Sequence, residues 1–181
     1  MVNIFKLFLI LFLLLLESCT TLKSTTQSSL SSEGEQYKAA LLNSIKKSTK
    51  IVITEHTHPL DAYDESKKSG PLKSEITYKS VTLDKEQTDY FIEAVAKMPA
   101  ETQDAFAACL FYDHHRIYFI NSNGTQTKMN ICFHCSQIEW DAISISPPWA
   151  IYETLSNVIT HLGMTPEDNW QAKLNSFLGS N

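Results

Sequence analysis

Residues 109–135 of the chain read CLFYDHHRIYFINSNGTQTKMNICFHC. This stretch holds three of the four cysteines and three of the six histidines. Its apolar runs, 117–120 and 129–133, are rich in β-branched and aromatic residues, which favour strands. They flank Asn123-Gly124, a dipeptide typical of a tight hairpin turn. The stretch therefore predicts two antiparallel strands, with thiols and imidazoles gathered at their open end.

The Asn-Gly turn also predicts the register of the two strands. A type I′ turn needs positive φ at both central residues, and Asn and Gly adopt it at least cost. With this two-residue loop, Asn121 would face Gln126 and His115 would face Cys132. Residues that face each other have Cβ atoms about 5 Å apart, which suits two ligands of one metal ion. A three-residue loop would shift this pairing.

Cys109, His115, Cys132 and Cys135 form the predicted metal site. A set of three cysteines and one histidine suits tetrahedral zinc, and the Cys-x-x-Cys spacing is common in structural zinc sites. Because Cys132 and Cys135 are three residues apart, the chain has to bend after Cys132 to bring both to one side. Four protein ligands would leave no position for water, so such a zinc ion would be structural.

Two other uses of these cysteines remain open. A Cys132–Cys135 or Cys109–Cys135 disulfide would staple the hairpin, since exported proteins meet oxidising conditions. A disulfide leaves one thiol over, whereas a metal ion uses all three. In the third reading, His134 stabilises a thiolate of the Cys-x-x-Cys motif for redox chemistry. Thioredoxin-like sites place that motif at the start of a helix, however, and no helix start follows Cys135.

This stretch resembles a group of uncharacterised small bacterial proteins. The shared features are the cysteines and His115, the aromatic strand, the glycine-containing turn and the closing Cys-Phe-x-Cys. Several of these proteins are exported. The resemblance covers residues 105–137. It departs from the group's pattern at Asp113, where proline is common, and in the gap between Cys109 and His115, which is longer by a residue. The resemblance implies a shared site and no particular activity.

Residues 1–18 predict a signal peptide that is not part of the fold. Lys6 supplies a positive charge near the start. The apolar run that follows, residues 7–16, has the length of a signal-peptide core and is short for a membrane span.

The apolar run is followed at once by Cys19, in the sequence Leu-Glu-Ser-Cys, which resembles a bacterial lipobox. Cleavage before Cys19 and acylation of its thiol would anchor the protein with no transmembrane helix. An ordinary cleaved signal peptide is the alternative. Because Thr20 rather than Asp follows the cysteine, the predicted location is the outer membrane of a bacterial envelope.

The rest of the chain is long enough for one domain with a sizeable core and short for two. Residues 19–35, rich in Ser and Thr, predict a lipidated cysteine followed by a flexible tether. Residues 36–181 predict a single domain. The formal net charge of −5, with only 15 Lys and Arg, argues against nucleic-acid binding.

Apolar spacing and capping residues predict the elements of this domain. Helices are predicted at 36–47, at 84–98 with Asp84 as N-cap, and at 149–162 with Gly163 beyond its end. A last helix is predicted with Thr165 as N-cap and Pro166 at its first position. Strands are predicted at 51–53, at 74–83 and in the hairpin, and residues 136–146 could be strand or loop. The order predicts an α+β fold, a small antiparallel sheet with an Asn-Gly hairpin packed by three to four helices.

His56 and His58 would share one face of an extended chain, an arrangement found in metal sites and also by chance. We interpret them as part of a solvated loop entry. Two functional classes remain: a membrane-tethered accessory or binding protein with a structural metal or disulfide, and a periplasmic redox or metal-dependent enzyme. A structural site should bury its sulfurs, whereas a catalytic site should open onto a cleft with a spare titratable group. The sequence identifies neither ligand nor protein partner.

Overall fold

A computed structural model describes residues 18–63, 70–102 and 109–179, with side chains from residue 32 onward. The helices in these ranges are α1 (Ser18–Lys47), α2 (Lys85–Lys97), α3 (Ile151–His161) and α4 (Trp170–Gly179). The strands are β1 (Ser48–His56), β2 (Thr77–Thr82), β3 (His115–Asn121), β4 (Gln126–Cys132) and β5 (Gln137–Trp140). A short 3₁₀ helix spans Pro59–Ala62.

The strands form one antiparallel sheet in the order β2-β1-β3-β4-β5. In the centre of the sheet, Val52 of β1 pairs with Thr82 of β2 on one side and with Tyr118 of β3 on the other. The predicted α+β class is confirmed.

One face of the sheet carries the core. Alternate residues of the central strands, Ile51 and Ile53 on β1 and Ile117 and Phe119 on β3, are almost fully buried. The buried side chains of α1, α2 and α3 that join this core are Tyr37, Leu41, Ile45, Phe91, Val95, Ile151, Leu155, Val158 and Ile159. Since side chains alternate along a strand with a period of two, the same face continues past the isoleucines to Glu55 and His115. A carboxylate and an imidazole therefore lie on the buried side of the sheet.

The Asn121 amide donates to the Thr125 carbonyl at 2.9 Å and closes a three-residue loop, residues 122–124, so the predicted two-residue Asn-Gly turn and its register are wrong. Ile120 pairs with Gln126. Within the loop, Gly124 has a φ of +80° whereas Asn123 does not have positive φ, and a type I′ turn needs it at both positions. The Asn123 side chain instead accepts a hydrogen bond from the Thr125 amide at 2.9 Å, a local contact that favours the longer loop.

Helix α1, described from Ser18 onward, includes the segment predicted as a flexible tether, residues 19–35. The helix predicted at 36–47 forms its C-terminal part. Ser and Thr are weak helix formers, but extending an existing helix costs far less than starting one. At Gly34 the helix passes so close to the segment after α2 that a Cβ would lie 1.7 Å from the Ala100 carbonyl oxygen.

The boundaries of α2 and α3 follow the predicted signals. Asp84 caps α2, since its carboxylate accepts from the Gln87 amide at 2.8 Å while the Gln87 side chain accepts from the Asp84 amide. Gly163 follows α3 with a φ of +70°, the left-handed conformation predicted for it.

Helix α4 begins at Trp170, later than predicted, and the assignment of Thr165 as its N-cap is wrong. The Thr165 amide donates instead to the carboxylate of Glu55 on β1, at 2.9 Å. The cap is provided by Asn169, whose side chain accepts from the Ala172 amide at 3.0 Å. Residues 166–168 lie before the helix and line the cleft at the end of the sheet.

None of the helices in the described ranges is long and apolar enough to span a membrane. The predicted signal peptide lies outside the described residues up to residue 17, and Cys19 lies where only the backbone is described. Cleavage and lipidation at Cys19 stay predictions.

Candidate functional site: a cleft beside a disulfide

The end of the sheet is closed by a disulfide between Cys109 and Cys135, whose Cα atoms are 5.9 Å apart. This is one of the two pairings that the sequence left open. Cys132, three residues before Cys135, is a free thiol and is 2% exposed. The turn between β4 and β5 carries Cys135, and His134 within this turn is exposed, as expected from the sequence.

The four residues predicted to bind zinc lie at the same end of the sheet but do not form a tetrahedral set. Cys109 and Cys135 are bonded to each other, and His115 is paired with Ile131 rather than with Cys132. The prediction that His115 faces Cys132 is wrong because the three-residue loop shifts the register by one residue, which exchanges the faces of the sheet. Within the described ranges no three His, Cys, Asp or Glu side chains are grouped closely enough to hold a metal ion.

A cleft of about 260 Å³ opens beside the disulfide. It has three walls, formed by Tyr112, His114 and His115 before and at the start of β3, by residues 131–135 at the end of β4, and by Pro166, Glu167, Asp168 and Trp170 before and at the start of α4. His115, Cys132 and Cys135, three of the four predicted site residues, line it. Cys132 and Cys135 are buried, as a structural site requires, whereas Cys109 is exposed, and a cleft with spare titratable groups is also present.

His115 lies at the deep end of the cleft and is 0% exposed. Neither of its ring nitrogens has a hydrogen-bond partner among the described residues. The nearest charged group is Glu55, whose Oε2 lies 3.8 Å from Nε2, too far for a hydrogen bond. Burial lowers the pKa of His115, against the opposing effect of Glu55, so the ring is neutral at pH 7 and carries one donor and one acceptor.

Glu55 is a buried carboxylate, 3% exposed, held at the end of β1. Its Oε1 lies 2.5 Å from the ammonium group of Lys173 on α4, and its Oε2 accepts from the Thr165 amide. Burial alone would raise the pKa of Glu55, but His115, Lys173 and the Thr165 amide together lower it to about 2. This pair attaches α4 and the segment before it to the sheet, and so places one wall of the cleft.

His114 connects a second wall of the cleft to the 3₁₀ helix. Its Nε2 lies 3.0 Å from Oδ1 of Asp61, and its ring stacks on Trp170 with centroids 4.1 Å apart and planes 4° apart. His58 lies nearby, with its ring centroid 6.3 Å from that of His114. An imidazole oriented by a carboxylate is a group that enzymes use as a base and binding proteins use as a fixed hydrogen-bonding partner.

His56 is not a solvated loop residue, as we interpreted it from sequence, but is 1% exposed. Its amide donates to the His114 carbonyl at 2.9 Å, which ties β1 to the start of β3. Its ring lies near the carboxylates of Glu75 and Asp113, at 3.5 and 3.8 Å. Arg116 pairs with both carboxylates at 3.1 Å. Burial lowers the pKa of His56.

Sequence reasoning missed Glu55, Asp61, Trp170 and Lys173. Each is far along the chain from residues 109–135, and their approach depends on sheet order and on the docking of α4. One sequence feature could have drawn attention to Glu55: it follows Ile51 and Ile53 at the period of a strand, so it was due to lie on the buried face.

The Cys-x-x-Cys motif lies at the end of β4 and leads through a turn into β5, with Cys132 paired to Gln137. This differs from the strand-to-helix setting of thioredoxin-like motifs, as expected from the sequence. What the cleft offers chemically is a neutral buried imidazole, a carboxylate-oriented imidazole and apolar walls. The chain matches no protein-family model, no curated protein and no solved structure.

Proposed function

We propose that the chain is a lipid-anchored protein of the bacterial envelope that binds a small organic ligand in the cleft beside the Cys109–Cys135 disulfide. The disulfide has a structural role in this proposal. The predicted lipobox at Cys19 supports the anchoring, and the cleft supports the binding.

His115 is the observation that carries the binding proposal. A buried polar group without a hydrogen-bond partner costs about 1–3 kcal/mol, and folded proteins rarely tolerate it without a reason. Here both nitrogens of one ring lack partners among the described residues, and the ring lines a cleft. A ligand that hydrogen-bonds to His115 would remove this cost on binding.

The test uses the full lipid-bearing chain in detergent micelles and a mixture of small aromatic alcohols, amides and amines, detected by saturation-transfer NMR. We expect signals from bound compounds that disappear in His134→Trp, because residue 134 is exposed at the cleft and a bulky ring there blocks entry. The matched control is Glu139→Trp, an exposed position on β5 outside this cleft. Absence of binding, or binding that His134→Trp leaves intact, contradicts the proposal.

Zinc binding by Cys109, His115, Cys132 and Cys135 is a second candidate, for a chain in which the disulfide is reduced. It is supported by the position of His115, Cys132 and Cys135 on the walls of one cleft. Elemental analysis of the purified protein, with a thiol count under denaturing conditions, distinguishes the zinc site from the structural disulfide. Stoichiometric zinc and no disulfide would favour the metal site. A disulfide with Cys132 as the free thiol of the domain, and no zinc, would count against it.

A further inference from the structure

The mouth of the cleft carries negative charge. Glu167 and Asp168 lie on the wall before α4, and both are exposed. Lys173 is the cation that approaches this wall, and its ammonium group is already paired with Glu55 at 2.5 Å and with Asp168 at 3.3 Å. Glu167 has no ion pair within the described ranges, and no Lys or Arg lines the cleft there. Anionic ligands are therefore disfavoured and a cationic group is favoured at the mouth.

The deep end of the cleft has a different character. Ile131 and Phe133 supply apolar surface, and His115 supplies an unpartnered donor and acceptor on one neutral ring. A hydroxyl group both donates and accepts, so it can satisfy a neutral imidazole that a purely apolar ligand would leave unpaired. The two ends of the cleft thus select for two different groups on one molecule.

The size of the cleft limits the ligand. At roughly 30 Å³ for each water-sized group, about 260 Å³ holds a molecule of about nine non-hydrogen atoms. The ring centroids of Phe133 and Trp170 lie 5.2 and 5.7 Å from that of His115, which shields its nitrogens from solvent. A ligand that bonds to His115 therefore has to displace one of these two rings; Trp170 is also stacked on His114, and Phe133 lies in the turn after β4.

We propose that the ligand is a small amine with an apolar, ring-sized body and a hydroxyl at the far end. Its ammonium group lies at Glu167 and Asp168, its body lies against Ile131 and Phe133, and its hydroxyl bonds to His115. This inference rests on the proposed function, since it assigns a ligand class to the same cleft.

The experiment measures the binding of three probes of equal frame to the full chain by titration calorimetry. Tyramine carries both groups, phenethylamine lacks the hydroxyl, and 4-hydroxyphenylacetate replaces the ammonium with a carboxylate. We expect phenethylamine to bind roughly fivefold more weakly than tyramine, the usual effect of one neutral hydrogen bond, and the anion to show no binding. Equal or tighter binding of the anion would overturn the inference.

Two variants locate the two ends of the ligand. Glu167→Gln should weaken tyramine and phenethylamine by the same factor, because both carry the ammonium. His115→Gln should reduce the preference for tyramine over phenethylamine, and Glu139→Gln on β5 should change neither. A tyramine preference that survives His115→Gln, together with an unchanged affinity in Glu167→Gln, would refute the inference. If no probe binds while the NMR screen still finds compounds blocked by His134→Trp, the ligand class is wrong and the proposed function stands.

Discussion

At the scale of single residues, the site consists of polar groups placed where the strand pattern would have continued with apolar ones. Glu55 and His115 face each other across β1 and β3, on the buried side of the sheet. Glu55 is stabilised by Lys173 and the Thr165 amide, whereas His115 is left without a partner among the described residues. The stability of the protein should therefore depend on the protonation of these groups.

We expect the free energy of unfolding to fall as the pH is lowered from about 7 to about 5. Burial lowers the pKa of His56 and of His115 in the folded protein, so the unfolded chain binds protons first as the pH falls through the ordinary value of 6.5. Unfolding is then coupled to proton uptake, and acid favours it. Glu55 acts in the same direction at lower pH, because its contribution is lost as the pH falls from 4.5 towards 2.

Urea denaturation at several pH values between about 5 and 8 measures this dependence. The variant His115→Gln removes one of the depressed groups and should flatten the curve near neutral pH. A plot of unfolding free energy against pH that is already flat in the unaltered protein, or that keeps its full slope in the variant, contradicts the lowered pKa of His115.

Lys173→Met tests the ion pair that holds the cleft wall. The change leaves the carboxylate of Glu55 buried without its cation, and we expect a loss of roughly 3 kcal/mol in the free energy of unfolding. The matched control is Lys85→Met, which removes an exposed lysine paired with Asp89 one helical turn away and should change stability little. Equal effects of the two substitutions would show that the buried Glu55–Lys173 pair contributes no more to stability than an exposed ion pair.

At the scale of secondary-structure elements, the disulfide and the hairpin act together. The bond closes a loop with a sequence separation of 26 residues that contains β3 and β4. It restricts the unfolded chain, and it holds the segment before β3 against the turn after β4. Both of these segments are walls of the cleft.

We expect Cys109→Ala and Cys135→Ala each to lower the free energy of unfolding by about 3 kcal/mol, the entropic effect of opening a loop of this length. Since both substitutions remove the same bond, the double variant should lose no more than about 1 kcal/mol beyond either single variant. Chemical denaturation of the three variants without reductant provides the measurement. Losses that add up in the double variant would show that the two cysteines are not bonded to each other.

At the scale of the whole molecule, we expect anchoring and binding to depend on different parts of the chain. The predicted lipidation site lies at Cys19, and the sheet and cleft are formed by residues from β1 onward. If Cys19 carries the acyl groups, its loss should release the protein from the membrane and leave the cleft unaffected.

Cys19→Ser should abolish labelling of the protein by an alkyne-tagged fatty acid in bacterial cells and move it out of the membrane fraction. The control Cys132→Ser alters a cysteine within the domain and should leave labelling and fractionation unchanged. Labelling that persists in Cys19→Ser would place the acyl groups elsewhere, and absence of labelling in the unaltered protein would favour an ordinary cleaved signal peptide.

The sequence by itself determined the local features of this protein. The Asp84 cap, the left-handed Gly163, the apolar faces of α2 and α3 and the strand character of residues around 117–120 and 129–132 depend on interactions between near neighbours. The α+β class follows from their order. These features can be read from a sequence because their energies depend on residues within one or two turns of the chain.

Only the tertiary structure decided the register and the site. The loop is one residue longer than predicted, a difference that involves only small energies within the hairpin. It places Ile131 rather than Cys132 opposite His115. Thr165 is not the helix cap in the structure: its amide donates to Glu55, far away in the chain, and Asn169 caps α4 instead. Sheet order and helix docking brought Trp170 to the cleft and Lys173 to Glu55, and a sequence pattern with a reach of a few residues does not encode such contacts.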